Sequence, residues 1–287
     1  MPTSDVIVVG LGHAGCEAAL VCARMGLRVL AVTLRADRIG LMSCNPAIGG
    51  PGKGQLVREL DALGGEMARV ADATGTHFRR LNESKGPAVR AIRALCDRQR
   101  YADEMGRRIR AQDRLTVIEA EAKALLTEGP RVVGVRTPEG EHLARAVIVT
   151  AGTFLHGLPH FGDRKEVGGR AGDAAAIGLS DSLRSLGLSV ARFKTGTPAR
   201  LDRRTIDYTR TEEQPGDPHP VPLSFSTDRA SFPALPQLPC AITHTNDETH
   251  RVVRENLARS PLYAGEIVGT GPRYCPSIEA KVINFPE

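Results

Sequence analysis

The sequence predicts an α/β fold in which parallel strands alternate with helices. An apolar, β-branched run at residues 6–9 has the composition of a buried strand. Residues 17–25 have helical composition and end at Gly26, a residue type favoured directly after a helix. A second apolar run follows at residues 27–32. A strand, a helix and a second strand in this order are typical of a parallel sheet.

Three glycines join the first predicted strand to the first helix. Gly10, Gly12 and Gly15 have the spacing G-x-G-x-x-G, which in this context is the fingerprint of a Rossmann-like, dinucleotide-binding domain. Gly10 permits the tight turn, Gly12 lets a diphosphate approach the backbone, and Gly15 lets the helix pack closely. Free N–H groups at the helix N-terminus attract the phosphates. The predicted cofactor contacts in this loop are Gly10, Leu11, Gly12, His13, Ala14 and Gly15.

The fingerprint alone does not identify the dinucleotide. The acidic residue expected at the end of the second strand is replaced by Thr33, whose hydroxyl can still bind a ribose. The third predicted strand, residues 115–118, leads to Ala122. In flavoproteins with two dinucleotide domains, a residue at this place contacts adenine through its backbone. This feature favours FAD.

A predicted β-meander also favours FAD. Its strands are residues 131–136 and 146–149, and the second ends in a segment that contains Gly152. This segment resembles the one that follows the meander in the same flavoproteins. The sequence therefore predicts an FAD-binding domain of the glutathione-reductase type over residues 1–200. A change to proline-rich connections predicts an inserted, smaller α+β domain over residues 201–270.

The glycine-rich loop at residues 43–54 is not a phosphate-binding Walker A loop. Gly54 follows Lys53, where magnesium binding needs Ser or Thr. The loop leads into a predicted helix at residues 55–63. A thiol near a helix N-terminus and a lysine can have a lowered pKa. Cys44 is therefore either a catalytic thiol or a buried structural one.

Composition excludes several classes of protein. Apolar residues are 41% and charged residues 25%, which excludes a disordered chain. No apolar run is long enough for a membrane span or a signal peptide, so we expect a cytoplasmic protein. The six cysteines are scattered, which predicts neither disulfides nor a metal site. A net charge of +5 permits an acidic partner such as RNA.

Residues 88–112 have the composition of a helix rich in arginine. These arginines form either a solvated basic face or a stripe that binds phosphates. They are Arg90, Arg93, Arg98, Arg100, Arg107, Arg108 and Arg110.

Motifs along essentially the whole chain resemble those of the GidA (MnmG) family. They lie at residues 10–19, 42–50, 61–65, 84–90, 168–173, 194–198, 242–246 and 269–279. The resemblance implies an FAD-dependent enzyme that adds a carboxymethylaminomethyl group to C5 of the wobble uridine of tRNA. It also implies a partner GTPase of the MnmE type, methylene-tetrahydrofolate as one-carbon donor, NADH as reductant, and a homodimer.

The same resemblance assigns roles to individual residues. The family relies on two cysteines, which correspond to Cys44 and Cys275. Ala176 lies where the family usually has a serine near the flavin. A proposed NAD contact region contains Gly271, Pro272, Arg273 and Tyr274. Family members are roughly twice as long, so residues 271–287 are interpreted as the truncated start of a segment that returns to the FAD domain.

Two other functions stay open. One is a flavin- or nucleotide-binding module without activity of its own, which the length suggests. The other is a folate- and FAD-dependent tRNA uracil-54 methyltransferase of the same ancestry. The loop at residues 43–50 and the segment 271–281 favour the wobble-uridine enzyme over the methyltransferase.

Overall fold

The computed structural model describes residues 4–162, 164–170, 172–267, 269 and 276–285. The chain forms two compact units. The first comprises Met1–Gly152 and Glu213–Cys240, and the second comprises Thr153–Glu212 and Ala241–Glu287. The sequence-based domains 1–200, 201–270 and 271–287 have other boundaries and stay a prediction.

The described residues contain thirteen strands and seven α-helices. The strands are β1 (Ser4–Val9), β2 (Val29–Thr33), β3 (Ala47–Gly49), β4 (Gly75–Leu81), β5 (Ala91–Cys96), β6 (Leu115–Glu119), β7 (Ala124–Glu128), β8 (Arg131–Thr137), β9 (Gly140–Val149), β10 (His160–Phe161), β11 (Arg164–Lys165), β12 (Glu212–Gln214) and β13 (Cys240–Ile242). The helices are α1 (His13–Arg24), α2 (Lys53–Ala62), α3 (Met67–Thr74), α4 (Arg98–Ala111), α5 (Gly178–Ser185), α6 (Asp247–Glu255) and α7 (Ile278–Asn284).

The main sheet of the first unit confirms the α/β prediction. Its strand order is β6-β2-β1-β9-β8-β7, and the first four strands of that order are parallel. β9 also pairs antiparallel with β8, which completes the predicted meander. Ile7 and Val8 at the centre of β1 are fully buried, as expected for a strand covered on both faces. The carboxyl ends of the four parallel strands share one edge, where such sheets bind ligands.

A smaller antiparallel sheet has the order β3-β5-β4 and corrects one prediction. Residues 88–112 are not one helix: they contain a 3₁₀ turn (Pro87–Val89), then β5, and only then α4. The side chain of Asp97 caps α4 by accepting the N–H groups of Gln99 and Arg100. Helical composition failed here because pairing with strands on both sides overrides a weak local propensity. The predicted helix at residues 55–63 is confirmed as α2.

A buried ionic network joins α1, α3 and α4. The Glu66 carboxylate is paired with the guanidinium groups of Arg24, Arg69 and Arg108. Glu17 on α1 accepts the backbone N–H groups of Glu66 and Met67, the latter at 2.6 Å, and so caps the start of α3. Burial raises the pKa of Glu17, against the lowering effect of these hydrogen bonds. The network ties α1 and α4, which pack against the main sheet, to α3, which packs against β5 of the smaller sheet.

Asp72 holds the segment at residues 222–227 within the first unit. Its carboxylate is almost fully buried and accepts the backbone N–H groups of Leu223 (2.8 Å) and Ser224 (2.9 Å) and the hydroxyl of Thr227 (2.7 Å). Burial raises the pKa of Asp72. The side chain of Leu223 is itself fully buried. This proline-rich part of the chain is thus anchored by polar groups of α3 as well as by apolar packing.

Replacing Asp72 by alanine is expected to lower the free energy of unfolding by about 2–4 kcal/mol, because two buried N–H groups lose their acceptor. Urea unfolding checks this. The matched control is Asp228→Ala, which removes an exposed carboxylate directly after this segment that accepts the N–H of Ala230. We expect Asp228→Ala to lower the free energy of unfolding by less than about 1 kcal/mol. Equal effects of the two substitutions would contradict the anchoring role of Asp72.

Among its described residues, the second unit contains the antiparallel pair β10–β11 and the α-helices α5, α6 and α7. The predicted helix at residues 248–258 is confirmed as α6, followed by a 3₁₀ turn (Leu257–Arg259). An ion pair joins Lys165 to Glu266 at 2.8 Å. In the part of the chain that the structure describes, no helix is both long and apolar enough to cross a bilayer.

Candidate functional site

The loop after β1 is held tightly against the end of β9. Gly10 has φ +94°, and a Cβ there would lie 2.6 Å from the Thr150 carbonyl oxygen. The Thr150 hydroxyl lies 2.8 Å from the Val9 carbonyl oxygen and 2.9 Å from that of Gly10, and donates to them. Only glycine fits this turn, as its predicted role requires. The sequence pattern singles out the segment that begins at Thr150 and contains Gly152, but it assigns no role to Thr150.

The other two glycines of the fingerprint differ in what surrounds them. A Cβ on Gly15 would lie 1.8 Å from the Gly10 carbonyl oxygen, so α1 can start this close to β1 only with glycine. At Gly12 a Cβ would meet no atom of the described residues within 4 Å. Gly12 precedes α1, whose N-terminus has no side-chain cap. An open backbone in front of uncapped N–H groups fits the diphosphate of a dinucleotide.

The remaining residues of the loop have different environments. Leu11 is buried in the core, and its carbonyl oxygen accepts the N–H of Gly40 at 2.9 Å. His13 packs edge-on against the Tyr101 ring, with centroids 5.6 Å apart. Burial lowers the pKa of His13. Ala14, like Gly12, is exposed. The open side of the loop is therefore formed by small residues.

The ends of β2 and β6 meet beside this loop. Thr33 pairs with Glu119, and its carbonyl oxygen accepts the N–H of Ala120 at 2.8 Å. Ala122 is buried two residues further on. Gly152 follows β9 with φ +60°. Parallel pairing thus gathers four separate predicted segments at one sheet edge, although their contact with a cofactor stays a prediction.

Ala176, the flavin-contact position implied by the resemblance, belongs to the second unit. Its N–H donates to the Phe154 carbonyl oxygen at 2.9 Å, and its own carbonyl oxygen accepts the N–H of His156 at 3.0 Å. Ala176 is buried. Its contact with flavin stays a prediction.

The described cysteines fall into two groups. Cys16 and Cys96 are buried, and burial raises the pKa of each thiol to about 12. Burial also raises the pKa of Cys22. These three thiols are core groups that stay protonated near neutral pH. Cys44 and Cys240 are half-buried and retain access to solvent.

The segment around Cys44 is fixed at both ends. Arg98 Nε donates to the Met42 carbonyl oxygen at 2.9 Å, and the N–H of Cys96 donates to the Pro46 carbonyl oxygen at 2.7 Å. Cys44 lies midway between these anchors, three residues before the start of β3. A thiol presented by an anchored segment is suited to attack a bound substrate.

Several predicted residues lie outside the described part of the chain. They are Gly271, Pro272, Arg273, Tyr274 and Cys275. The predicted pairing of Cys44 with Cys275, and the predicted NAD contact region, are therefore not tested by the structure.

The sequence model of the family described as "Glucose inhibited division protein A" matches residues 5–287. The tRNA uridine 5-carboxymethylaminomethyl modification enzyme MnmG of Myxococcus xanthus is 58% identical over 287 residues, covering 98% of this chain and 47% of that protein. Its counterpart in Geobacter metallireducens is 58% identical over 284 residues, covering 99% of this chain and 45% of that protein. The chain thus spans about half the length of the curated relatives it matches.

A solved structure has the same fold. The form I crystal structure of Aquifex aeolicus GidA superposes with a TM-score of 0.92 at 49% identity, covering 99% of this chain and 48% of that one. The form II crystal gives a TM-score of 0.89 at 46% identity, covering 99% and 46%.

Proposed function

Since the chain belongs to the GidA family, we propose that it acts in adding a carboxymethylaminomethyl group to C5 of the wobble uridine of tRNA. The name that the relatives carry supports this reaction. The observation that carries the proposal is the open glycine loop before α1, at the sheet edge where predicted cofactor contacts converge. The half-buried thiol of Cys44 supplies the second requirement, a nucleophile.

FAD is the cofactor that we propose for the glycine loop. The backbone at Gly12 and the first N–H groups of α1 hold the diphosphate. Thr33 binds a ribose hydroxyl, and the backbone at Ala122 contacts adenine. Bound FAD supplies the two-electron redox chemistry of the reaction.

The protein's own contribution to the chemistry is nucleophilic catalysis by Cys44. C5 of uracil is a weak nucleophile. When the Cys44 thiolate forms a bond to C6, the electrons of the C5–C6 double bond move onto C5 and the neighbouring carbonyl. C5 then attacks the one-carbon electrophile, which supplies the methylene carbon, and loss of the C5 proton with departure of the thiolate restores the ring. Glycine, as the amine co-substrate, supplies the carboxymethylamino portion of the product through a bond from its nitrogen to that methylene carbon. Cys275 is the proposed second thiol.

The remaining participants follow from the family. We propose tRNA as substrate, methylene-tetrahydrofolate as carbon donor, NADH bound by residues 271–274, a GTPase of the MnmE type as partner, and a homodimer. A tRNA substrate implies a cytoplasmic reaction.

Nucleoside analysis of tRNA tests the function. In a strain whose only gene of this family encodes this protein, mass spectrometry should detect carboxymethylaminomethyl-uridine at the wobble position, which a strain lacking the gene does not make. Accumulation of 5-methyluridine at position 54 instead would favour the methyltransferase. Unmodified wobble uridine, with flavin bound to the purified protein, would favour a module without activity of its own.

A further inference from the structure

A cavity of about 250 Å³ in the first unit has a lining unrelated to the glycine loop. It lies beside α2 and the start of β5. Among the described residues, three arginines and no acidic residue line it: the lining residues are Gly54, Gln55, Arg58, Arg80, Arg90, Ala91, Ile92 and Val221. Three cations around a small volume repel one another unless an anion lies between them. The cavity therefore has the charge of an anion-binding site.

Separate contacts hold the three arginines in place. Arg58 Nη1 donates to the Pro222 carbonyl oxygen at 3.1 Å, and its guanidinium lies 4.2 Å from the centre of the Phe225 ring. Arg90 Nε donates to the Lys85 carbonyl oxygen at 3.2 Å. The backbone of Arg80 is fixed because its N–H donates to Asp217 at 2.7 Å. Guanidinium forks positioned in this way suit the oxygens of a phosphate.

Glu83 competes only weakly with a bound anion for Arg80. Arg80 Nη1 lies 3.9 Å from a carboxylate oxygen of Glu83, and both side chains are well exposed. An exposed pair at this distance contributes little energy. Arg80 is therefore available to a phosphate.

Gln55 adds a requirement that a simple anion does not meet. Its Nε2 donates to the carbonyl oxygens of Ala88 (3.1 Å) and Arg90 (3.3 Å), which fixes the turn that carries Arg90. Its Oε1 is buried and has no hydrogen-bond partner among the described residues. A buried acceptor without a donor costs free energy, and a donor on a bound ligand would remove that cost. RNA provides both groups together, since a 2′-hydroxyl lies beside each backbone phosphate.

The position of the cavity suits a substrate that also reaches Cys44. Ile92, near the start of β5, lines the cavity. At the other end of β5, the N–H of Cys96 donates a hydrogen bond to the carbonyl oxygen of Pro46, which is two residues from Cys44. Four residues of strand correspond to about 13 Å. A phosphate in the cavity is thus within a few nucleotides of a base at Cys44.

We propose that this cavity binds the sugar-phosphate backbone of the substrate RNA near the reacting base, with Arg80 and Arg90 on a phosphate and Gln55 on a 2′-hydroxyl. The proposal rests on the function proposed above, because it takes tRNA as the ligand. It assigns these residues to substrate positioning.

Titration of a fluorescent, unmodified tRNA transcript with the purified protein, over a series of salt concentrations, tests this. We expect Arg80→Gln and Arg90→Gln each to weaken binding about fivefold and to reduce the slope of log K against log salt by about 0.7–1. Arg90→Lys, which keeps the charge, should retain most of the slope. The matched control is Arg131→Gln, an exposed arginine at the start of β8, whose slope should equal that of the unchanged protein.

A second arm compares the anticodon stem-loop made of RNA with the same sequence made of DNA. The RNA should bind more tightly, and Gln55→Leu should remove most of that preference. Thermal unfolding confirms that each variant is folded. If the unchanged protein binds tRNA and the Arg80 and Arg90 variants behave like the Arg131 control, the cavity is not the site, while the proposed function stands.

Two other results also overturn the inference. If AMP binding depends on Arg80 and Arg90 while tRNA binding depends on neither, the ligand of the cavity is a small nucleotide. If the unchanged protein does not bind tRNA at all, the proposed function fails and takes this inference with it.

Discussion

Cys44→Ser is expected to lower the rate of tRNA modification by at least about a thousandfold while bound flavin stays at the level of the unchanged protein. Serine keeps the size of the side chain, but its hydroxyl is a far weaker nucleophile than a thiolate near neutral pH. The anchors at Met42 and Pro46 are backbone groups, so the segment should keep its conformation. Single-turnover modification of a tRNA transcript, with all proposed substrates and the partner GTPase present, measures the rate.

Cys240→Ser is the matched control for this experiment. Cys240 is the other half-buried cysteine among the described residues, and it lies in the same unit. Its substitution should leave the rate within about twofold. Retained activity of Cys44→Ser would remove Cys44 from the chemistry. An equal loss in both variants would point to general damage instead of a specific nucleophile.

Gly15→Ala and Gly12→Ala are expected to separate the folding role of the glycine loop from its binding role. A Cβ at position 15 would lie 1.8 Å from the Gly10 carbonyl oxygen and 2.7 Å from Thr150 Oγ1, so α1 has to move away from β1. We expect Gly15→Ala to lose more than about 3 kcal/mol of unfolding free energy and with it the flavin. Urea unfolding and the flavin absorption of the purified protein measure the two effects.

Gly12→Ala should behave differently, because the added Cβ meets nothing within 4 Å in the part of the chain that the structure describes, and the φ of −74° suits alanine. We expect the free energy of unfolding of the apoprotein to change by less than about 1 kcal/mol and the affinity for FAD to fall by about 10- to 100-fold. Gly86→Ala is the control, since its Cβ is equally unobstructed and its φ is −62°. FAD affinity unchanged by Gly12→Ala would place the diphosphate elsewhere.

The two substitutions together test the physical basis of the site. Substituting a glycine that is needed for packing destabilises the protein with or without its ligand. Substituting a glycine that is needed for the approach of the diphosphate weakens only the complex. The separation is possible because the Cβ positions of Gly12 and Gly15 have different surroundings: that of Gly12 faces open space and that of Gly15 faces a carbonyl oxygen.

Short-range patterns were sufficient for the cofactor domain. The strand at residues 6–9, the glycine spacing, the first helix and the strand at 27–32 are consecutive in the chain, so local composition defines them. Residues 88–112 show where this reasoning fails. Their composition is helical throughout, yet Ala91–Cys96 is a strand because β3 and β4 pair with it from both sides.

Spacing and composition along the chain therefore identified the dinucleotide loop, the first parallel strands and the family, because each depends on neighbouring residues. Packing alone established that Thr150 closes the loop, that Asp72 anchors a segment about 150 residues away in sequence, and that three scattered arginines line one cavity. Contacts between distant residues leave no periodic trace in a single sequence. These contacts contribute to stability only when folding buries the groups involved and removes water from them.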